Sequence, residues 1–251
     1  AGNPDAAILA LFAAGEKGVW LDGSDLTTMF QDLAGTVPAA VDSPVGHWRD
    51  KSGNNAHWTA NNSAGRPMLR LVSGVYWLDF DGVDDRGVTV AIDFSATDEM
   101  TAITGLRKLS DAGVGYVYML GPDISTSPGV ALATPLYGPN FYTTARGSAL
   151  SAINYSDASV AGAFSAVVVL RAKISTDTHA LRINGVDRGT AAVDQGAGNY
   201  ANSALTIGSY AGGGTFFTGR LSQLILRGKT STLAEYQAAE QWVNAKIGSP
   251  F

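Results

Sequence analysis

The chain has 251 residues, with 22 acidic and 17 basic side chains and a formal net charge of −5. This acidic balance argues against nucleic acid and anionic membranes as partners, since both attract basic patches. Cysteine is absent, which excludes disulfides, thiolate metal sites and a cysteine nucleophile. No segment approaches the ~20 consecutive apolar residues that span a bilayer, so no membrane partner is expected.

The N-terminal region predicts a short helix followed by extended and loop-rich chain. Ile8, Leu9 and Phe12 share one helical face between Asp5, a suitable N-cap, and Gly15, a suitable C-terminal stop. Residues 18–21 predict a strand and residues 24–32 a helical turn. From residue 36 to residue 64, Asn, Ser, Gly and Pro punctuate short apolar pieces, which is typical of loops.

From residue 68 onward, short apolar runs alternate with turn residues and predict a series of strands. Residues 167–170 form a continuous apolar run, which is typical of a strand buried on both faces. Asn184-Gly185 predicts a two-residue hairpin, in which Ile183 pairs with Val186 and Arg182 faces Asp187.

A second helix is predicted near the end of the chain, where Thr232 and Glu235 have capping-box spacing and Gly248 marks the stop. The elements together predict an all-β sandwich with a small helix at each end.

Four segments in a fixed order carry a family resemblance. They are Asp50-Lys-Ser-Gly-Asn-Asn-Ala-His57; Leu78-Asp-Phe-Asp-Gly-Val-Asp-Asp85; residues 167–170 with 181–186; and residues 205–208 with 217–219 and the final helix. This order resembles the laminin-G-like branch of the concanavalin A-like lectin/glucanase superfamily. The resemblance implies a jelly-roll sandwich of two antiparallel sheets over residues 46–251, including the C-terminal helix.

The opening of the chain carries a narrower resemblance. Residues 10–22 and 24–32 are similar to an opening that tailed-phage and prophage structural proteins place before a laminin-G-like sandwich. This implies that residues 1–45 form a segment that packs on the sandwich or on a neighbouring protein of a particle. It further implies a component of the tail, baseplate, spike or head surface, assembled in the host cytoplasm into a virion with other virion proteins and further copies of itself.

Catalytic residues of the glucanase type are not found in the sequence. The glucanases of this superfamily place carboxylates at alternating positions of one strand, in the pattern Glu-x-Asp-x-(x)-Glu, and that pattern does not occur here. The Gly-x-Ser-x-Gly, phosphate-loop and HExxH motifs are also absent. We therefore expect no enzymatic activity. The alternative from the enzyme class is a carbohydrate-active hydrolase that uses a pair of aspartates.

The densest acidic cluster follows a predicted strand and contains Asp79, Asp81, Asp84 and Asp85. Aspartates of this kind order a turn by accepting backbone hydrogen bonds, here around Gly82. The alternative is a calcium site formed by Asp81, Asp84 and Asp85, because hard cations take several carboxylate oxygens. We expect the turn and therefore no cofactor. Under the alternative, the cofactor would be one calcium ion.

Aromatic side chains near predicted loops are the candidates for ligand binding. Trp58 follows the Asp50 loop and is a candidate shelf for a ligand. Tyr142, Tyr155 and Tyr210 lie in or beside loops with asparagine and serine nearby, a mixture that suits a carbohydrate groove or a protein surface. The other four tryptophans, Trp20, Trp48, Trp77 and Trp242, are expected in the core or in packing against a helix.

The sequence thus predicts a non-enzymatic virion structural protein that binds a host surface polysaccharide for attachment. The remaining alternative is a free bacterial lectin-like domain with no role in a particle.

Overall fold

The computed structural model describes residues 3–251, and its regular elements are almost all strands. Within these residues the strands are β1 (Gly18–Asp22), β2 (Met29–Phe30), β3 (His47–Trp48), β4 (Trp58–Ala60), β5 (Met68–Val72), β6 (Val75–Asp81), β7 (Gly87–Thr89), β8 (Ile92–Asp93), β9 (Glu99–Lys108), β10 (Val114–Leu120), β11 (Gly129–Leu136), β12 (Asn140–Arg146), β13 (Leu150–Ser156), β14 (Phe164–Lys173), β15 (Thr178–Ile183), β16 (Val186–Ala191), β17 (Asn202–Ser203), β18 (Leu205–Ile207) and β19 (Thr218–Arg227). The α-helices are α1 (Ala6–Leu9) and α2 (Leu233–Lys246).

The long strands form two antiparallel sheets that pack face to face. The eight-stranded sheet has the order β16-β15-β14-β9-β19-β6-β5, and β1 pairs with the remaining length of β19. The nine-stranded sheet has the order β13-β12-β11-β10-β18-β7-β4-β3-β2, while β8 and β17 pair separately. Non-consecutive strands are neighbours in both sheets, as in a jelly roll. The expected all-β sandwich of two antiparallel sheets with short terminal helices is confirmed.

The main core lies between the two sheets and follows the alternation of side chains along each strand. In β14, Val168 and Leu170 point into this core, whereas Val167 and Val169 point to the outer face of the eight-stranded sheet. All four are buried, because the two helices cover that outer face. The strand buried on both faces is therefore confirmed. The four tryptophans expected in the core or against a helix are also buried.

The two helices pack side by side on the outer face of the eight-stranded sheet. Trp20 of β1 meets Trp242 of α2 edge to face at 5.6 Å between ring centroids. The capping box of α2 is present: the Thr232 hydroxyl accepts from the Glu235 N–H, and the Glu235 carboxylate accepts from the Thr232 N–H at 2.7 Å. Neither helix of the described residues has the length and hydropathy needed to cross a membrane.

The first helix is shorter than the sequence predicts. Only Ala6–Leu9 is α-helical, and a 3-10 turn, Ala10–Phe12, continues it. Asp5 occupies the N-cap position as expected, but its carboxylate makes no hydrogen bond to the helix and pairs with the Lys51 ammonium at 3.1 Å. An ion pair with a distant loop has replaced the local hydrogen bond.

The hairpin at Asn184-Gly185 is confirmed. Both residues have positive φ, 48° and 73°, and Ile183 pairs with Val186 while Arg182 pairs with Asp187. The Arg182 guanidinium lies 3.2 Å from the Asp187 carboxylate.

The N-terminal region contributes a strand to each sheet. β1 pairs with β19 in the eight-stranded sheet, and β2 pairs with β3 in the nine-stranded sheet. The boundary expected between residues 45 and 46 therefore does not coincide with a break in either sheet. The helical turn expected over residues 24–32 is limited to Leu26–Thr28, after which the chain enters β2.

Candidate functional site

Two tyrosines lie in one row on the outer face of the nine-stranded sheet. Tyr116 of β10 and Tyr142 of β12 both pair with Ala133 of the intervening strand β11. Their Cα atoms are thus about 10 Å apart, since neighbouring strands are spaced by about 4.8 Å. The small Ala133 side chain between them keeps the row shallow.

A third tyrosine, Tyr210, reaches this face from the loop over residues 208–215. Its ring meets the Tyr116 ring edge to face at 5.1 Å between centroids, and its hydroxyl donates to the Asp123 carboxylate. Gly212, Gly213 and Gly214 follow, with φ of 86°, 96° and 91°. A run of three left-handed residues needs glycine, so the loop bends back without side chains that would fill the space beside Tyr116.

These residues line an open cleft of about 430 Å³. Tyr137 stands at its edge with 83 % of its surface exposed. We call this site the tyrosine cleft; it is lined by Val114, Tyr116, Leu136, Tyr137, Tyr210, Gly213, Gly214 and Thr215. The cleft combines flat aromatic faces with backbone and hydroxyl groups that can form hydrogen bonds.

Three phenol groups in or beside the cleft, those of Tyr116, Tyr142 and Tyr210, are neutral over the physiological pH range. Burial raises the pKa of Tyr116, Tyr142 and Tyr210 above the ordinary tyrosine value. The hydrogen bond from the Tyr210 hydroxyl lowers the pKa of Asp123, which therefore stays a carboxylate. A neutral phenol both donates and accepts a hydrogen bond, as recognition of a hydroxyl-rich ligand requires.

The structure separates the predicted ligand-binding residues. Tyr142 and Tyr210 lie on the same face, with Tyr142 next to the tyrosine cleft rather than in its lining. Tyr155 pairs with Phe141 and therefore points to the opposite, inner face of the sheet, where the Arg188 guanidinium lies 5.0 Å from its ring centroid. These tyrosines do not form one groove.

The position of Trp58 differs from the expectation that its ring forms a shelf for a ligand. Its side chain is fully buried in β4, where it packs in the core between the sheets. A Trp58 ring with no exposed face cannot serve as a shelf for a ligand, so this prediction is wrong. Trp58 belongs to the apolar core because its side chain points from β4 toward the eight-stranded sheet.

The sequence patterns do not single out Tyr116, the residue at the centre of the cleft. It falls inside a predicted strand rather than beside a loop, and a register shift in β10 lies directly after it. The alternation of Tyr116 with the buried Val117 is the signal that could have identified an outward side chain.

The Asp50 carboxylate orders the loop before Trp58. It accepts hydrogen bonds from the backbone N–H groups of Trp20, Ser52 and Ala56 at 2.8–2.9 Å. These contacts tie the loop to β1, so the role of Asp50 is structural.

Asp81, Asp84 and Asp85 form a compact turn. The Asp81 carboxylate accepts from the Val83 N–H at 2.8 Å, and the Asp85 carboxylate accepts from the Asp81 N–H at 2.9 Å. These hydrogen bonds are the ones expected of an ordered turn. Carboxylate oxygens of the three residues also lie within 4.8 Å of one another, so calcium binding here stays a prediction.

The same cluster bears on the hydrolase alternative. Burial raises the pKa of the Asp85 carboxyl to about 6, and the charges of Asp81 and Asp84 add to the rise while the Asp81 N–H opposes it. The Asp81 and Asp85 carboxylates already accept backbone hydrogen bonds within the turn. The geometry thus favours a turn over a pair of catalytic aspartates.

The fold and the site together define a two-sheet β-sandwich of the lectin-like class. A laminin-G family model, described as the concanavalin A-like lectin/glucanases superfamily, matches residues 108–235, which is 128 of the 251 residues. The chain belongs to this superfamily. A comparison with curated proteins found no match.

Solved structures with this fold include parts of botulinum neurotoxins. A structure of the type C neurotoxin, whose cell entry depends on two ganglioside molecules, has a TM-score of 0.62 at 11 % identity and covers 91 % of this chain. The binding domain of neurotoxin DC in complex with rat synaptotagmin II has a TM-score of 0.60 at 14 % identity over 94 % of this chain. The serotype D ligand-binding domain in complex with N-acetylneuraminic acid has a TM-score of 0.62 at 11 % identity over 92 %. This chain spans about half the length of each, 51 % or 52 %. At these identities the likeness describes the fold alone.

Proposed function

We propose that this protein is a non-enzymatic glycan-binding component of a tailed-phage or phage-derived particle. In this role the tyrosine cleft holds a polysaccharide of the host surface. The observation that carries the proposal is the arrangement of Tyr116, Tyr137 and Tyr210 around one open cleft. A sugar ring offers an apolar C–H face and a rim of hydroxyls, and a tyrosine complements both.

The shape of the cleft supports binding of an extended polymer. It is open rather than enclosed, and Tyr142 extends the row of aromatic side chains on the side of Ala133 opposite Tyr116. An enclosed pocket would suit a single small sugar, whereas an open cleft lets a chain enter and leave along the sheet. Superfamily membership and the resemblance of residues 10–32 to phage structural proteins agree with this role.

A glycan array of bacterial capsular and O-antigen polysaccharides tests the proposal. We expect the protein to bind at least one polysaccharide and Tyr137→Ala to weaken that binding by up to about tenfold, since one stacked aromatic ring contributes ~0.5–1.5 kcal/mol. Tyr137 is largely exposed, so its removal should leave the melting temperature unchanged.

Tyr155→Ala is the matched control, because this tyrosine lies on the inner face of the same sheet. Equal loss of binding in the two variants would move the site away from the tyrosine cleft, and a protein that binds no polysaccharide would refute the proposal. After long incubation the bound polysaccharide should elute at its original size. Release of oligosaccharides, abolished by Asp85→Asn, would instead show a hydrolase.

A further inference from the structure

Two arginines lie side by side on the outer face of the eight-stranded sheet, far from the tyrosine cleft. Arg107 of β9 pairs directly with Arg220 of β19, and Ser165 of β14 continues the row beyond Arg107. Like charges at directly opposed positions of an antiparallel pair are destabilising. A structure that keeps two such cations together gains stability when an anion joins them.

Within residues 3–251, a single carboxylate partly compensates the charge of this pair. Asp79 of β6 lies 3.4 Å from the Arg220 Nε, while the Arg107 guanidinium donates to the Ser165 hydroxyl at 3.0 Å and has no carboxylate partner among the described residues. The described side chains of this row therefore carry a net charge of +1. Both arginines are half-buried.

The arginines line a cavity of about 290 Å³, which we call the arginine pocket. This volume is about ten times the ~30 Å³ that one water molecule occupies in the liquid. Its other walls combine apolar side chains with polar groups and come from the β5–β6 hairpin and the end of α2: Val72, Ser73, Val75, Trp77, Ile247, Gly248 and Pro250. The pocket therefore has room for an organic group as well as a charged one.

The C-terminal end of α2 borders the pocket, and its partial negative charge opposes an anion. Two of its carbonyl groups are already used, since Val243 accepts from the Ile247 N–H at 3.1 Å and Asn244 accepts from the Ser249 N–H at 2.8 Å. The two guanidinium groups lie on the floor of the pocket with fixed, fork-shaped donors. Their positive charge outweighs the partial negative charge at the end of the helix.

We propose that the arginine pocket binds a small organic molecule that carries a phosphate, sulfate or carboxylate group. The oxygens of this group accept from Arg107, Arg220 and the Ser165 hydroxyl, and its organic part contacts Val75, Trp77 and Ile247. This site is independent of the glycan-binding role of the tyrosine cleft.

Titration of the isotope-labelled protein, followed by NMR, tests the proposal with four probes of similar size. Phenyl phosphate, phenyl sulfate and benzoate distinguish the three anionic groups, and benzyl alcohol is the neutral control. We expect saturable shifts of the residues around positions 107, 165 and 220 with at least one anion and none with benzyl alcohol. Arg107→Gln should weaken binding about tenfold or more, as expected for hydrogen bonds to a charged group.

Asp79→Asn gives a readout that a purely structural role would not produce. It removes the competing carboxylate and should tighten binding of the same anion about two- to fivefold, the range for an exposed ion pair. Arg70→Gln removes an arginine outside the pocket and should leave affinity unchanged. Absence of shifts with all three anions, equal shifts with benzyl alcohol, or unchanged affinity in folded Arg107→Gln would each overturn the proposal.

Discussion

His179 is a histidine held between the two sheets, where the part of the chain that the structure describes gives it no charged partner. It is fully buried, with its ring nitrogens 3.1 Å from the Thr143 hydroxyl and 3.2 Å from the Ser151 hydroxyl. Burial lowers the pKa of His179 from 6.5 to about 4. The folded protein thus holds His179 neutral at a pH where the unfolded chain protonates it.

This histidine should make the protein less stable in mild acid. Between pH 6.5 and about 4 the unfolded state binds more protons than the folded state, so the free energy of unfolding falls as the pH falls. From the size of the pKa shift, the contribution of His179 should decline by about 2 kcal/mol between pH 7 and pH 5. Urea denaturation at a series of pH values measures it.

His179→Gln is the comparison for this prediction, because the amide keeps hydrogen-bonding capacity without a titrating group. Subtracting its stability curve from that of the original protein cancels the other carboxyl and histidine groups. The difference in the free energy of unfolding should rise with pH between about 4 and 6.5 and stay constant above pH 6.5. Parallel curves would show that His179 does not control the acid sensitivity.

At the scale of single elements, the hairpin between β15 and β16 depends on its two left-handed residues. Gly185 has φ of 73°, and a Cβ there would meet the Phe251 ring at 3.0 Å. Gly185→Val should lower the free energy of unfolding by about 1–3 kcal/mol, because a β-branched residue resists this conformation. For a domain of this size the melting temperature should fall by several degrees, roughly 2–4 °C per kcal/mol.

Gly185→Asn is the control for the hairpin, since asparagine tolerates the left-handed region. It should retain most of the stability that valine loses. If valine and asparagine have the same effect, contact with Phe251 rather than backbone conformation explains the loss. Differential scanning calorimetry of the three proteins distinguishes these outcomes.

Local signals predict some elements well and others poorly. The α2 capping box and the Asn184-Gly185 hairpin depend on neighbours in sequence, so both are readable from the chain. Strands β2, β3 and β4 have only two or three residues, too few for alternation, and their region resembles loop. The side chain of Asp5 bonds Lys51 instead of its own helix, which no local pattern can indicate.

The candidate site is less predictable than the fold for a related reason. Tyr142 and Tyr155 look alike in sequence, yet they occupy adjacent strands at positions of opposite parity and point to opposite faces. Trp58 follows a polar loop and is nevertheless core. Which tyrosines share a face depends on strand register, and register depends on pairing between distant segments.

At the scale of the whole molecule, the proposed role in a particle predicts that many copies strengthen weak glycan contacts. Linked sites can raise overall affinity by ~10²–10⁴ without any new contact. We expect particles carrying Tyr137→Ala to adsorb to host cells less well, while their assembly and protein composition stay unchanged. Adsorption assays on purified particles, with Tyr155→Ala particles as the control, measure this effect. Absence of the protein from purified particles would refute the role in a virion.

The placement of the two helices gives the molecule a front and a back. α1 and α2 lie together on the outside of one sheet, whereas the tyrosine cleft opens on the outside of the other. A protein attached near either helix would therefore leave the tyrosine cleft exposed on the opposite side. The arginine pocket lies beside α2, so a molecule bound there would be close to that attached protein and far from a ligand in the tyrosine cleft.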